Sequence, residues 1–297
     1  MNFTRISRGP LALLCALLAL SALPGCSRGP RWTNLLDENL SAWRIWQSYA
    51  TPEEGFQGRL PLGEDGNPLP AIGYDKNEGD AFSTLKEGKD VVLRICSPIY
   101  GALMTRESFE NYEFRMKVRY GKLSWGVRAG KAIDSGLIYN SFGEPGTNHL
   151  FSWKRGFECQ LMASGTTEGN TGDFWGTSGT RADVRATRNE ELRAWFFDPA
   201  GELRAGSGFR AADNNSPDGE WTEVAVYCIG DKSLHVVNGQ VVMAVENMRF
   251  RDQDGSETPI TSGQIQLQCE AGELYVKDIR IRPLASFPDE FLKYFPE

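Results

Sequence analysis

The stretch Gly263–Ile281, GQIQLQCEAGELYVKDIRI, holds the decisive pattern. Gln264, Gln266, Gln268 and Glu270 share one parity; Ile265, Leu267 and Cys269 share the other. Side chains alternate across a strand with a period of two, so an apolar row opposite a polar row reads as a strand with one face on a core. Glu273–Arg282 continues as a second strand. The same alternation marks Val91–Ile95, Tyr112–Tyr120, Ser135–Asn140, Gly156–Met162, Glu191–Phe197, Thr222–Ile229, Ser233–Val237 and Gln240–Val245. In VVNGQVV, Asn238-Gly239 suits the positive φ angles of a tight type I′ hairpin. Amphipathic helices are scarce, with short turns at Asp37–Ala42 and Asp289–Tyr294 as the best candidates. Many strands at short spacing with little helix predict an all-β sandwich or barrel.

The N-terminus reads as a processing signal. Arg5 and Arg8 precede an apolar run, Leu11–Leu23, shorter than the roughly 20 residues a spanning helix needs. Residues 1–25 therefore read as a signal peptide. The run ends in Leu-Pro-Gly-Cys, similar to a bacterial lipobox, and Cys26 is the expected lipidation site. Residues 26–31 would be a tether, 32–284 the folded domain and 285–297 a tail. Ser27 after the Cys, rather than Asp, points to the periplasmic side or outer membrane of a Gram-negative cell, with the membrane as partner through a lipid anchor. Cys96, Cys159, Cys228 and Cys269 sit at core-facing parity; an exported chain permits disulfides among them, and buried free thiols fit equally. The net charge of −7 argues against a nucleic-acid partner, which requires clustered Lys and Arg.

In a two-sheet sandwich the apolar parity packs between the sheets and the other faces out. If one sheet is curved, its outer face becomes a groove. Gln264, Gln266, Gln268 and Glu270 would line it, as would Glu158 and Gln160, and Arg115, Lys117 and Arg119 from YEFRMKVRY. Amides, carboxylates and guanidinium groups offer the directed donors and acceptors that sugar hydroxyls need. The stretch Ser164–Glu190 reads as a long polar loop, and such loops are often binding loops. Phe174 and Trp175 within it either stack on sugar or anchor the loop. A plain solvated sheet face would show the same patterning.

Several segments, in order, resemble the 3-keto-disaccharide hydrolase domain family: WTNLLDENLSAWRIW (Trp32–Trp46), FENYEFRMKVRY (Phe109–Tyr120), DSGLIYN (Asp134–Asn140), GFECQLM (Gly156–Met162), GDFWG (Gly172–Gly176), GEWTEVAVYCIGDKSLHVVNGQVV (Gly219–Val242) and GQIQLQCEAGELYVKDIRIRPL (Gly263–Leu284). The resemblance implies a concanavalin-like jelly-roll β-sandwich of two antiparallel sheets, one concave, and activity on 3-keto-glycosides. Asp134 stands where the family pattern has Asn, the opening motif lacks its Lys, and the glycine-rich loop is longer before Gly172.

A ketone at C3 acidifies the C2 proton of a sugar. Removing that proton gives an enolate that expels the C1 glycoside. This chemistry needs a base near C2, an oxyanion stabiliser near O3 and a proton for the leaving oxygen. Glu158, mid-strand on the groove parity, is the candidate base, and Glu270 the candidate acid or second carboxylate. Arg115 and Lys154 are candidates to stabilise the enolate, and His149 to shuttle protons. Gln160, Gln266, Gln268, Asp134, Tyr139, Trp175 and Lys117 are the substrate-binding candidates. A carboxylate such as Glu158 serves a salt bridge as readily as catalysis, and His149 also reads as a plain loop residue. His235, between Leu234 and Val236, reads as a structural hydrogen-bonding residue. Two His in the chain do not build a multi-His metal centre. No cofactor is expected; Asp, Asn and backbone carbonyls could form a site for a divalent cation such as Ca²⁺, but no loop shows its ligand spacing. The Glu-x-Asp-x-x-Glu strand of laminarinase-type sandwiches, the Gly-x-Ser-x-Gly elbow and phosphate-loop or dinucleotide fingerprints are absent. The competing reading is a non-catalytic carbohydrate-binding lipoprotein using the same groove, and a third is a scaffold for a protein partner. Clustered carboxylates with a shifted carboxyl would favour the enzyme; a groove of amides and aromatics alone would favour the binder.

Overall fold

A computed structural model describes residues 30–147, 150–163 and 170–296. Residues 1–25, Cys26 and His149 lie outside the described residues. Among the described residues, twenty strands, numbered here in chain order, form two antiparallel sheets. The groove sheet contains β2 (Trp43–Ala50), β3 (Gly73–Tyr74), β6 (Ile99–Thr105), β7 (Phe109–Glu110), β9 (Asp134–Phe142), β10 (Arg155–Met162), β11 (Phe174–Thr177) and β19 (Ser262–Cys269). Its order is β11-β10-β9-β19-β6-β2-β3, with β7 pairing on β19. The back sheet contains β1 (Thr33–Asn34), β4 (Phe82–Glu87), β5 (Asp90–Cys96), β8 (Tyr112–Ser124), β12 (Thr180–Asn189), β13 (Ala194–Phe197), β14 (Glu202–Ala205), β15 (Thr222–Ile229), β16 (Lys232–Val237), β17 (Gln240–Arg251), β18 (Glu257–Pro259) and β20 (Gly272–Pro283). This is the concanavalin-like jelly-roll sandwich.

The alternating patterns place the core. Ile265, Leu267 and Cys269 of β19 and Phe114, Met116 and Val118 of β8 meet between the sheets. The opening stretch is where the chain changes sheet: β19 and β20 are joined through Glu270 and Ala271, and Ala271 takes φ 54° at the corner. The Asn238-Gly239 turn has φ 47° and 79°, as a type I′ hairpin requires. The last residues pack back on the sandwich: Phe291 meets Tyr227 edge-on, and a short 3₁₀ turn covers Asp289–Tyr294.

Two features differ from the sequence reading. The stretch read as a long loop, Ser164–Glu190, holds β11 and all of β12. In β12, Ala182, Val184 and Ala186 are buried between charged neighbours, an alternation muted by alanine. The amide row is not an open groove floor either. Gln266 and Gln268 are fully buried, because a second apolar cluster covers much of the outer face of the groove sheet. It is built from Phe56, Tyr100, Met104, Ile138 and Trp153, with Trp46 and Phe151 packed against it. β6 is therefore covered on both faces, which explains why IYGALMT shows no alternation. All four described cysteines are free, buried thiols.

His235 is fully buried, with Nδ1 2.9 Å from Gly172 O and Nε2 3.0 Å from the Tyr139 hydroxyl. Burial pulls its pKa down to about 4 from an ordinary 6.5. Below pH 6.5 the unfolded chain takes up a proton that the folded chain refuses until about pH 4. Stability should therefore fall through that window, by about 3 kcal/mol for this one group. Denaturant midpoints at pH 7 and pH 4.5 check this. His235→Gln should lose clearly less than wild type between them, and an equal loss would contradict the assignment.

Candidate active site

Strand register builds the site. Trp175 of β11 lies opposite Glu158 of β10. Gln160 lies opposite Gly136 of β9. On the other side of β9, Leu137 pairs Leu267, which brings Gln268 and Glu270 of β19 beside Gly136 and Asp134. Successive residues on one face, from three adjacent strands, thus converge on one cavity of about 510 Å³. Its lining includes Glu158, Gln160, Asp134, Glu270, Arg128 and Trp175, with Tyr100 and Trp153 on the far side.

Three carboxylates crowd one guanidinium. Arg128 Nη2 contacts both Asp134 and Glu270, whose side chains are each 6 % exposed. Gln160 Nε2 donates to Asp134 Oδ1. Burial works against the Arg128 charge, but Glu270 and Asp134 outweigh it and hold the guanidinium above its ordinary range. Glu158 has no salt bridge among the described residues. Burial, then the neighbouring charges of Glu270 and Asp134, push its carboxyl well above the usual 4.5; Gln268 and Arg128 pull partly the other way. The environment therefore separates the acids into an Arg-bound pair and a lone carboxyl that holds its proton to higher pH.

Aromatic rings flank this cluster. Trp175 is half-buried and edge-on to Phe209 at 5.9 Å. Tyr100 and Trp153 stack at 6.1 Å, and the Trp153 indole N–H donates to Gly101 O at 2.8 Å. Burial, then Glu270, lifts the Tyr100 phenol to about 12, so it acts as a hydrogen-bond donor rather than a base. Lys131 lines the mouth and is exposed.

Of the residues named from sequence, Glu158, Glu270, Gln160, Asp134 and Trp175 meet at this cavity. Gln268 lies just beneath it, and Gln266 is buried further along, its Oε1 accepting from the Lys154 backbone N–H at 3.2 Å. Lys154 is on the same face but outside the lining, with Nζ 2.6 Å from Gln264 Oε1. Burial lowers its pKa. Four placements correct the sequence reading. Arg115, Lys117 and Arg119 stand on the outer face of the back sheet, on β8, where Arg119 binds Glu87. There Arg115 binds Glu113, Glu223 at 3.0 Å and the Tyr227 hydroxyl at 2.7 Å, and Lys117 binds Asp278 at 2.9 Å. Alternation shows that a side chain points outward, but not from which sheet. Tyr139 faces between the sheets, bonded to Ser233 at 2.7 Å and to His235, because its parity is that of Leu137.

Arg128, Tyr100, Trp153 and Lys131 were not legible as site residues. Arg128 closes a short 3₁₀ turn, Gly126–Arg128, with no periodic pattern. Its one signal is Gly126, held at φ 53°, where a Cβ would fall 2.3 Å from Thr51 Cγ2. Among the described residues, no three His, Cys, Asp or Glu side chains are disposed to hold a metal ion. Arg128 supplies a counter-charge to two of the acids, Asp134 and Glu270.

Among solved structures, a candidate glycosyl hydrolase from Parabacteroides distasonis is 16 % identical, covering 86 % of this chain and 100 % of that one with a TM-score of 0.46. The Bacillus licheniformis beta-glucanase is 10 % identical over 88 % of this chain and 100 % of that one, TM-score 0.39. The carbohydrate binding module CBM66 from Bacillus subtilis is 10 % identical over 68 % and 95 %, TM-score 0.36. No curated protein matches the sequence. The family profile described as the 3-keto-alpha-glucoside-1,2-lyase-like domain matches residues 31–282, and with nearly the whole described sandwich inside that match the chain belongs to this carbohydrate-active family.

Proposed function

We propose that the cavity binds a 3-keto-glycoside and cleaves it by removing the C2 proton. The observation that carries this reading is the carboxyl cluster itself, Asp134, Glu158 and Glu270 around Arg128, with Glu158 set apart as a lone, shifted carboxyl. A simple sugar binder has no use for that arrangement, which is costly to bury. The family description supports the same substrate class.

In this scheme the keto ring lies between Trp175 and the floor. The Glu158 carboxylate takes the proton from C2. The C2–H electron pair becomes an enolate across C2 and C3, with its negative charge on O3. Arg128, oriented by Asp134 and Glu270, faces that oxygen from the cavity wall. Collapse of the enolate restores the C3 carbonyl, forms the C1–C2 double bond and expels the aglycone oxygen, which takes a proton from water at the cavity mouth. Glu158 then returns its proton to solvent. Addition of water to the C1–C2 double bond would complete a net hydrolysis. A base whose pKa is lifted towards the working pH suits removal of a weakly acidic carbon-bound proton.

The test is to incubate the protein with a chromogenic 3-keto-glucoside and with its non-oxidised parent. Aglycone should be released from the keto sugar alone, with an enone absorbance appearing in the ultraviolet. Release from both sugars would replace this scheme with ordinary glycoside hydrolysis. Binding without release would leave a carbohydrate-binding protein.

A further inference from the structure

Gln268 is the least explained polar residue near the site. It is fully buried at the C-terminal end of β19, and neither atom of its amide meets a hydrogen-bond partner of good geometry among the described residues. Buried amides almost always find partners, so an unmatched one calls for a reason. The sugar does not supply it, because Gln268 lies beneath the cavity rather than in its lining, while Glu158 lines it.

Gly136 shows where the amide goes. β9 runs between β10 and β19, and Gly136 leaves a gap in its outer face. A Cβ there would fall 2.2 Å from Glu158 Oε1 and 2.5 Å from Gln268 Oε1. Both side chains therefore lean into the same gap from opposite strands. The other polar groups of the floor are engaged elsewhere: Gln160 with Asp134, and Arg128 with Asp134 and Glu270. Gln268 is thus the neutral partner within reach of Glu158.

The two groups are matched in a particular way. A carboxyl that loses its proton changes from donor to acceptor. A primary amide has an acceptor at one corner and donors at the other, and the two corners exchange by a half-turn about its last bond. We propose that Gln268 is a positioning residue for Glu158: its carbonyl accepts from the neutral carboxyl, its NH₂ donates to the carboxylate, and Gly136 leaves the room in which the amide turns. A Lys or Arg here would lock Glu158 in its charged form, and an acid would oppose ionisation. An amide serves both halves of the proton-transfer cycle. The missing hydrogen-bond geometry is then expected, since no single orientation suits both states. This inference rests on the reading of Glu158 as the proton acceptor.

The experiment uses the full chain carrying Gln268→Met, which keeps length and apolar packing, with Gln266→Met as the comparison. Gln266 is on the same row and equally buried but does not reach the Gly136 gap. Two readouts are taken: kcat and KM for a 3-keto-glucoside against pH, and infrared difference spectra of the neutral Glu158 carbonyl against pH, assigned by its loss in Glu158→Gln. Gln268→Met should lower kcat by about 10²-fold with KM little changed, the size expected of a misplaced catalytic group. Both the rising limb of kcat and the infrared titration should move to higher pH, since the carboxylate has lost its donor. Gln266→Met should move neither. A Gln268→Met protein whose Glu158 band titrates as in wild type overturns the proposal, as does a loss confined to KM, which would make Gln268 a sugar ligand. If wild type turns over no 3-keto-glucoside, the functional reading fails, and the infrared titration still decides whether Gln268 and Glu158 are partners.

Discussion

Glu158→Gln is expected to cut turnover of a 3-keto-glucoside by at least about 10³-fold and, at the same time, to stabilise the fold at neutral pH. The first effect follows if Glu158 takes the C2 proton, since the amide occupies the same space without a basic oxygen. The second follows from its burial. The Glu158 carboxyl sits well above the 4.5 of a free glutamate. Below that value it is protonated in both folded and unfolded chains. As pH rises past 4.5, the unfolded chain releases its proton and the folded chain holds on, so stability drains away until the pH passes the folded value. Gln at this position has no proton to release, and this slope vanishes. The gain should be absent below pH 4.5, grow as pH rises, and be read as a higher Tm at pH 7 to 8. Denaturant unfolding of both proteins between pH 4.5 and pH 9 measures it. A variant equally destabilised at every pH would make Glu158 a structural residue, and one that keeps its turnover would remove it from the chemistry.

Arg128→Met should be the most damaging change to the fold near the site. Among the described residues it removes the guanidinium that touches both Asp134 and Glu270, two nearly buried acids with Glu158 beside them. Breaking a buried pair costs about 3–5 kcal/mol. The low end is expected, because Arg128 retains 21 % side-chain exposure and solvent reaches it. Protonation relieves repulsion between acids, so the deficit should shrink as pH falls towards 4. Turnover should fall as well, through loss of the O3 partner. Arg128→Lys should recover part of the stability, since the charge returns without the planar fork that spans two carboxylates. Unfolding free energies at pH 8 and pH 4.5 check this. A deficit that does not change with pH would mean that Arg128 acts through packing alone.

Much of the sandwich was legible because alternation is a local property. β8, β15, β16 and β19 each have one face on the core and wrote that into their own residues. β2 and β6 were not legible, since WRIWQSYA and IYGALMT are covered on both faces and lose their period. β12 was hidden by alanine at its core positions. Within the site, Glu158, Gln160, Gln268 and Glu270 could be named from strand parity. Arg115, Lys117 and Tyr139 could not be placed, because parity distinguishes inside from outside but neither one sheet from the other nor the groove face from the core until register is known. Arg128 and Trp153 come from loops that fold over the sheet, and no local pattern announces such a return. The burial of the amide row has the same origin. Gln266 and Gln268 have the composition of a solvated face, but long-range loop packing seals them.

In the proposed reaction cleavage starts at C2–H, so deuterium at that carbon reports on the first step. A 3-keto-glucoside deuterated at C2 should be cleaved several-fold more slowly than its protiated twin, and the glycal-type product should carry no deuterium. In heavy water, substrate recovered at partial conversion from a Glu158→Gln reaction should show no exchange at C2. Equal rates for the two substrates, with deuterium retained in the released sugar, would show that the C2 bond is never broken and would contradict the mechanism drawn from this cavity.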